Sequence, residues 1–63
     1  MPFVHIEILE GLSDDNKQEI VEEIVKIFND KLDIQTEKVF VFFEDLKRNN
    51  YARNGKLVSL QDK

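Results

Sequence analysis

Pro2 is the residue whose type and position offer the clearest chemistry, because it follows Met1 and is the only proline in the chain. Aminopeptidases remove an initiator methionine that precedes a small residue, and this cleavage would give Pro2 a free secondary amine. A terminal amine titrates near pH ~8, and burial in an apolar pocket shifts it towards the neutral form. A neutral amine held there would be suited to act as a general base at neutral pH. The alternative is a proline that merely begins a strand.

The composition excludes several other kinds of site. The 63 residues include no cysteine and a single histidine, His5, so we expect neither a disulfide nor a metal site. A formal charge of −4 argues against a nucleic-acid partner, because such proteins usually carry a basic surface. No apolar run approaches the ~20 residues of a membrane span, and we find no signal-peptide pattern. We therefore expect a cytoplasmic protein without a nucleic-acid or membrane partner.

The hydrophobic pattern predicts a strand, a helix and a second strand. Alternation over Phe3–Leu9 is typical of a strand, and Gly11 then marks a turn. Between residue 14 and about residue 31 the apolar side chains recur at helical spacing, with Ser13 as the helix N-cap. The second strand, residues 38–44, is apolar on both faces. One helix can cover only one of these faces, so we expect the other to meet another subunit.

The chain is predicted to form one α+β domain over residues 1–63. The crossover of about 25 residues between the two strands permits parallel pairing. Asn54 and Gly55 are a strong two-residue turn signal, so Tyr51–Val58 is expected to form a short hairpin before a loose tail, Ser59–Lys63. A domain this small, without disulfides or a metal, usually gains stability from a partner subunit, and we expect an oligomer.

Three segments of the chain match one known arrangement. Residues 2–17 read PFVHIEILEGLSDDNK, residues 39–43 form the apolar strand, and residues 50–55 combine Tyr51 with a glycine. Together they resemble the 4-oxalocrotonate tautomerase family. The resemblance implies a β-α-β subunit with parallel strands and a C-terminal hairpin, assembled as a homo-oligomer that is usually a hexamer, a trimer of dimers. It also implies a cofactor-independent isomerase that catalyses keto–enol tautomerisation, a 1,3-proton transfer, with the proline as general base.

Two arginines typical of that family are absent from this chain. Leu12 replaces the turn arginine and Phe40 the second-strand arginine, so a dicarboxylate substrate would lack its cations. Tyr51 matches an aromatic residue that lines the family's pocket. We expect Arg53 to bind the substrate carboxylate, alone or with Arg48, and solvated surface arginines are the alternative.

These features predict a tautomerase for 2-oxo acids or 2-hydroxydienoate-like compounds. The apolar Leu12 and Phe40 favour monocarboxylate enols of the phenylenolpyruvate type. Hydration or dehalogenation of an unsaturated acid is an alternative reaction, but it requires polar groups that activate water, and the chain offers few. A non-catalytic subunit or binding module, or the partner of a hetero-oligomeric tautomerase, would also explain the missing arginines.

Overall fold

A computed structural model describes residues 1–61. The elements in chain order are β1 (Phe3–Leu9), α1 (Asp14–Leu32), a 3-10 turn (Thr36–Lys38), β2 (Phe40–Leu46), β3 (Ala52–Arg53), β4 (Lys56–Leu57) and α2 (Val58–Gln61). β1 and β2 form a parallel sheet, and β3 and β4 form an antiparallel hairpin. The predicted α+β fold, with a β-α-β unit of parallel strands and a short C-terminal hairpin, is confirmed.

The two long strands begin and end together. Phe3 lies opposite Phe40 and Leu9 lies opposite Leu46, with continuous register between them. The Glu10 amide extends the ladder by donating to the Leu46 carbonyl at 3.0 Å. Because the strands are parallel, both strand starts lie at one end of the sheet and both strand ends at the other. We call these the amino end and the carboxyl end of the sheet.

Helix α1 is bounded by residues that suit its two termini. The Ser13 side-chain oxygen accepts a hydrogen bond from the Asn16 amide at 3.1 Å, which confirms the predicted N-cap. Gly11, in the preceding turn, has a φ of 114°, a value that favours glycine. At the other terminus Asp33 is left-handed, and its amide donates to the Asn29 carbonyl at 3.2 Å. These caps fix the length of the crossover that returns the chain to the amino end of the sheet.

Helix α1 lies on one face of the sheet. The Lys17 ammonium lies 5.6 Å from the centre of the Phe43 ring, and the same Nζ is 2.9 Å from Asp45 Oδ1. Alternate residues of β1 point towards the helix and are half-buried: Val4, Ile6 and Ile8. The sequence prediction that the helix covers one face of the sheet is therefore confirmed.

The opposite face, which we call the open sheet face, is exposed. It carries three phenylalanines, one histidine and two glutamates: Phe3, His5, Glu7, Phe40, Phe42 and Glu44. The Phe3 and Phe40 rings stack at 5.3 Å, and the His5 and Phe42 rings stack at 4.8 Å. Val58, which is 5% exposed, is the only buried residue between positions 1 and 61. A single chain therefore encloses very little core of its own.

Residues 47–61 leave from the carboxyl end of the sheet and fold on themselves. Asn54 and Gly55 form the predicted turn, with φ values of 56° and 77°. The Val58 amide donates to the Tyr51 carbonyl at 3.1 Å, which closes the hairpin beyond its two strands. The hairpin predicted for residues 51–58 is confirmed.

The start of the second strand differs from the prediction. The amide of Lys38 donates to the Gln35 carbonyl at 2.9 Å, and the amide of Val39 donates to the Thr36 carbonyl at 3.2 Å. These bonds close the 3-10 turn, so neither amide is available to the sheet. β2 consequently begins at Phe40 rather than at residue 38.

The loose tail predicted for residues 59–63 is wrong for its first three residues, which belong to α2. The Ser59 amide donates to the Arg48 carbonyl at 2.9 Å, and Gln61 Nε2 donates to the Arg53 carbonyl at 2.8 Å. These contacts hold the short helix against the hairpin. Residues 62 and 63 lie outside the described residues.

Candidate active site

Pro2 lies at the amino end of the sheet, immediately before β1. Its carbonyl accepts a hydrogen bond from the Phe40 amide at 3.1 Å, and the residue is half-buried. Met1 is 72% exposed, so the bond between Met1 and Pro2 faces solvent. The proline ring fixes φ and the carbonyl is held by the sheet, so cleavage of that bond would leave the amine in a defined position.

The surroundings of Pro2 at this end of the sheet are aromatic. Phe40, directly beside Pro2, is 37% exposed and lies nearly parallel to the Phe3 ring, at an interplanar angle of 17°. Phe42 continues the stack, with its ring 6.4 Å from that of Phe3. These rings supply apolar surface close to the backbone of Pro2.

The other four candidate residues lie at the carboxyl end of the sheet. Leu12 is in the turn that follows β1, and Arg48, Tyr51 and Arg53 all follow β2. A strand of seven residues separates the two ends by about 20 Å. The chain is also elongated, with principal dimensions of 46 × 22 × 14 Å. One chain alone therefore does not bring these four residues to Pro2.

The hairpin holds its candidate residues by their backbones. Tyr51 is half-buried, and its carbonyl accepts the Val58 amide at 3.1 Å. The Arg53 carbonyl accepts Gln61 Nε2 at 2.8 Å, while the residue itself is exposed. Since only its backbone is held, the Arg53 guanidinium is available for an anionic group. Tyr51 and Arg53 thus place one aromatic and one cationic side chain on the hairpin at the carboxyl end.

Known proteins match nearly the whole chain. The family model described as "Tautomerase enzyme" matches residues 2–61. The chain belongs to the tautomerase family. This tautomerase is 34% identical over 59 residues to a Bacillus subtilis protein named 2-hydroxymuconate tautomerase, across 94% of this chain and 95% of that protein. A Listeria innocua protein named probable tautomerase is 38% identical over 55 residues, across 87% of this chain and 90% of that protein.

Crystal structures of 4-oxalocrotonate tautomerase homologues share the fold of this tautomerase. One superposes with a TM-score of 0.86 at 28% identity, covering 100% of this chain and 97% of the other. A second gives a TM-score of 0.80 at 33% identity, covering 92% and 95%. The resemblance seen in the sequence is confirmed, and the chain is a tautomerase-type isomerase.

Charge is segregated along this tautomerase chain. Residues 47–61 contain four basic residues and no acidic residue, whereas residues 1–46 contain twelve acidic and four basic residues. The basic segment includes both arginines and the whole hairpin. The carboxyl end of the sheet therefore carries the part of the chain that attracts anions.

Lys38 is a residue that the sequence analysis did not single out. It ends the 3-10 turn, two positions before Phe40, and is exposed. The turn brings it to the amino end of the sheet, where Pro2 lies. The spacing of Lys38 before the second strand was the available signal, but the sequence pattern placed it inside that strand. Lys38 is therefore a cation on the same chain as Pro2 and at the same end of the sheet.

The part of the chain that the structure describes lacks two further features. It contains no group of three or more histidine, cysteine, aspartate or glutamate residues placed to hold a metal ion. No helix between positions 1 and 61 is long and apolar enough to cross a membrane.

Proposed function

We propose that this tautomerase interconverts keto and enol forms of 2-oxo acids or 2-hydroxydienoate-like compounds, with Pro2 as the general base and no cofactor. The position of Pro2 carries the proposal. It precedes the first strand, its carbonyl is held by the Phe40 amide, and aromatic side chains lie beside it. Removal of Met1 exposes the amine that the reaction requires.

The proposed reaction moves one proton between two positions of the substrate. The neutral Pro2 nitrogen accepts the proton of the enol hydroxyl and becomes a secondary ammonium. It then gives that proton to the substrate carbon, which yields the keto form and restores the free amine. The intermediate enolate carries negative charge close to the substrate carboxylate, so a nearby cation lowers the barrier.

A second copy of the chain supplies that cation in this proposal. Each strand of the two-stranded sheet has one unpaired edge on which another strand can pair. A two-fold axis perpendicular to the sheet would place the carboxyl end of one copy beside the amino end of the other. Pro2 of one chain would then meet Tyr51 and Arg53 of the second.

Each candidate residue has a distinct role at such a shared site. Arg53, alone or with Arg48, binds the carboxylate and disfavours the protonated form of Pro2 through its positive charge. Tyr51 and Phe40 line the site and exclude water, and Leu12 adds apolar surface. Because Leu12 and Phe40 carry no charge, the site suits monocarboxylate enols better than dicarboxylates.

The assembly and cellular location complete the proposal. The resemblance to 4-oxalocrotonate tautomerase implies a hexamer built as a trimer of dimers, and the exposed open sheet face supports association beyond a pair. We propose a homo-oligomer of this kind in the cytoplasm, acting on a small-molecule substrate.

Enol-to-keto conversion of phenylenolpyruvate and 2-hydroxymuconate, followed by ultraviolet absorbance, tests the function. Wild-type protein, shown by intact mass to lack Met1, is compared with Pro2→Ala, which keeps a terminal amine but loses the ring. We expect Pro2→Ala to lower kcat/KM by ~10²–10⁴-fold. A processed wild type no faster than Pro2→Ala on both compounds would contradict the proposal.

The apolar residues at two positions support a second candidate function. Leu12 and Phe40 stand where the resembling family carries arginines, so this chain would instead be a non-catalytic subunit or the partner of a different tautomerase chain. That protein would be inactive alone and would gain activity on adding an arginine-bearing chain. A processed homo-oligomer that is active alone excludes this candidate.

A further inference from the structure

We infer that Asn54 is a site of spontaneous deamidation, and that the carboxylate formed there weakens the binding of substrate by Arg53. The co-reactant is water, and the products are ammonia and an aspartyl or isoaspartyl residue. The modification depends only on the turn of the hairpin. Its effect on catalysis rests on the proposed function, so the two parts are tested by separate measurements.

Asn54 is followed by Gly55 in the turn between β3 and β4. Deamidation begins when the backbone nitrogen of the following residue attacks the side-chain carbonyl carbon of asparagine. A new C–N bond closes a succinimide ring, and the side-chain amide nitrogen leaves as ammonia. Water then opens either carbonyl of the ring, which gives aspartate or isoaspartate. Because glycine has no side chain, its backbone nitrogen is more accessible than that of any other residue.

The structure leaves the groups of this turn available for the reaction. The Asn54 side chain has no hydrogen bond to any residue between positions 1 and 61. Apart from the two chain neighbours of Gly55, no atom lies within 4 Å of a Cβ built on that glycine, so there is space for the ring. Both residues are exposed to the water that the second step consumes.

The other four asparagines of the chain lack this combination. The Nδ2 atom of Asn29 donates to a backbone carbonyl at 2.6 Å, which holds its side chain. The backbone amides that follow Asn16 and Asn49 already donate hydrogen bonds, at 3.0 and 2.9 Å. Asn50 precedes a tyrosine, whose side chain hinders the approach of the backbone nitrogen. The asparagine of the turn is therefore expected to react first.

Gln61 limits the rate at which the turn can react. Its Nε2 atom donates to the carbonyls of Arg53 and Lys56, both at 2.8 Å, and so bridges the two strands at the base of the turn. Ring closure requires the Asn54 backbone to leave its left-handed conformation, which has a φ of 56°. Because the bridge opposes this movement, the turn must open locally before the ring can form.

The new carboxylate would be the only acidic group in residues 47–61. These residues include four basic side chains and no acidic one, so deamidation lowers their net charge from +4 to +3. The carboxylate adjoins Arg53, so it can pair with that guanidinium and compete with the carboxylate of the substrate. An isoaspartyl residue also lengthens the main chain by one carbon, which displaces the two carbonyls that Gln61 holds.

Incubation of the purified protein at neutral pH and physiological temperature tests the modification. Proteolytic peptides are analysed by mass spectrometry at intervals, and we expect the replacement of NH2 by OH at Asn54 before any other asparagine. Gln61→Met keeps the length of the side chain but cannot donate, and it should raise the rate about fivefold, the factor that one net hydrogen bond contributes. Asn54→Gly is the unreactive control, because two glycines suit the same turn.

Tautomerase assays on phenylenolpyruvate test the effect of the new charge. Asn54→Asp should raise KM and lower kcat/KM about two- to fivefold, the range that exposed ion pairs contribute. Asn16→Asp makes the same change of charge at an exposed position of α1, and it should follow the wild type. Incubated wild type should lose activity as Asn54 reacts, whereas incubated Asn54→Gly should keep it.

The results that overturn each part are different. Asn54 that stays unmodified, or that reacts no sooner than Asn49 or Asn50, overturns the modification site, and an unchanged rate in Gln61→Met overturns the role of that bridge. Wild-type kinetics in Asn54→Asp overturn the effect on substrate binding. A freshly purified protein that lacks Met1 and is inactive contradicts the proposed function and that effect, while the mass spectra still decide whether Asn54 reacts.

Discussion

Mixing two impaired variants tests whether one active site takes residues from two chains. Pro2→Ala replaces the ring-held secondary amine of the proposed base with a flexible primary amine, and it should lower kcat/KM by ~10²–10⁴-fold. Arg53→Ala removes the proposed carboxylate contact, and losing a charged hydrogen bond of about 1.5–3 kcal/mol lowers kcat/KM by roughly 10–150-fold. Each variant alone should therefore retain at most about a tenth of the wild-type kcat/KM.

The activity recovered on mixing follows from where the two residues lie. Pro2 and Arg53 belong to opposite ends of a sheet about 20 Å long. If Pro2 of one chain meets Arg53 of another, random assembly of equal amounts gives both native residues to about a quarter of the sites. If one chain supplied both residues, no site would recover them. Activity would then remain at the average of the two variants, at most about 5% of wild type.

The assay uses joint refolding. The variants are unfolded in urea, combined in equal amounts, refolded together and assayed by ultraviolet absorbance on phenylenolpyruvate. Lys56→Ala provides the matched control, because Lys56 is the hairpin partner of Arg53 and its loss changes the charge equally. We expect Lys56→Ala alone to retain most of the activity. Recovery no greater than the average of the separate variants would refute the shared site.

Three further predictions concern stability and substrate choice. Gly11→Ala should lower the free energy of unfolding by about 1 kcal/mol or more. The cause is the backbone φ of 114°, because no atom lies within 4 Å of the added Cβ. An unchanged urea midpoint at fixed protein concentration would contradict this prediction. Ser13→Ala should lower the free energy of unfolding by about 1 kcal/mol, because the Asn16 amide loses its acceptor. Ser13→Asp should retain the cap, so equal losses in both variants would argue against capping as the cause. Leu12→Arg should raise the ratio of kcat/KM on 2-hydroxymuconate to that on phenylenolpyruvate by about tenfold, because it adds a cation for the second carboxylate. A constant ratio would show that residue 12 does not face the substrate.

Local sequence patterns were sufficient to predict the β-α-β unit. Alternation over Phe3–Leu9, the N-cap at Ser13 and the turn at Asn54 each depend on nearby residues, and the structure has all three. The start of the second strand and the helix at residues 58–61 were not predictable in this way. The start of the strand depends on the hydrogen bonds of the 3-10 turn, which use amides that the sheet would otherwise use. The short helix depends on a hydrogen bond from the Gln61 side chain to the Arg53 carbonyl of the hairpin.

The sequence proposes the candidate residues but does not predict how they are arranged. The position of Pro2 after Met1 suggested its role and the resemblance to a family strengthened it, the resemblance also gave Tyr51, and a spacing of two residues from Tyr51 suggested Arg53. Their separation depends on strand direction: β2 runs away from Pro2, so everything that follows β2 begins at the far end of the sheet. No short-range pattern shows this, whereas Lys38 was overlooked because the apolar pattern placed it inside the second strand.

The segregation of charge along the chain has a consequence for the rate at which substrate arrives. The proposed 2-oxo acid substrate is an anion, and residues 1–46, with twelve acidic and four basic side chains, carry net negative charge that would repel it. The segment 47–61, with four basic residues and no acidic one, creates a local positive potential around the hairpin. Diffusing anions would thus be steered to that segment, an effect that weakens as the Debye length shortens from ~10 Å at 0.1 M salt to ~3 Å at 1 M. The segment 47–61 would then determine the rate at which substrate reaches the protein as well as the affinity with which it binds.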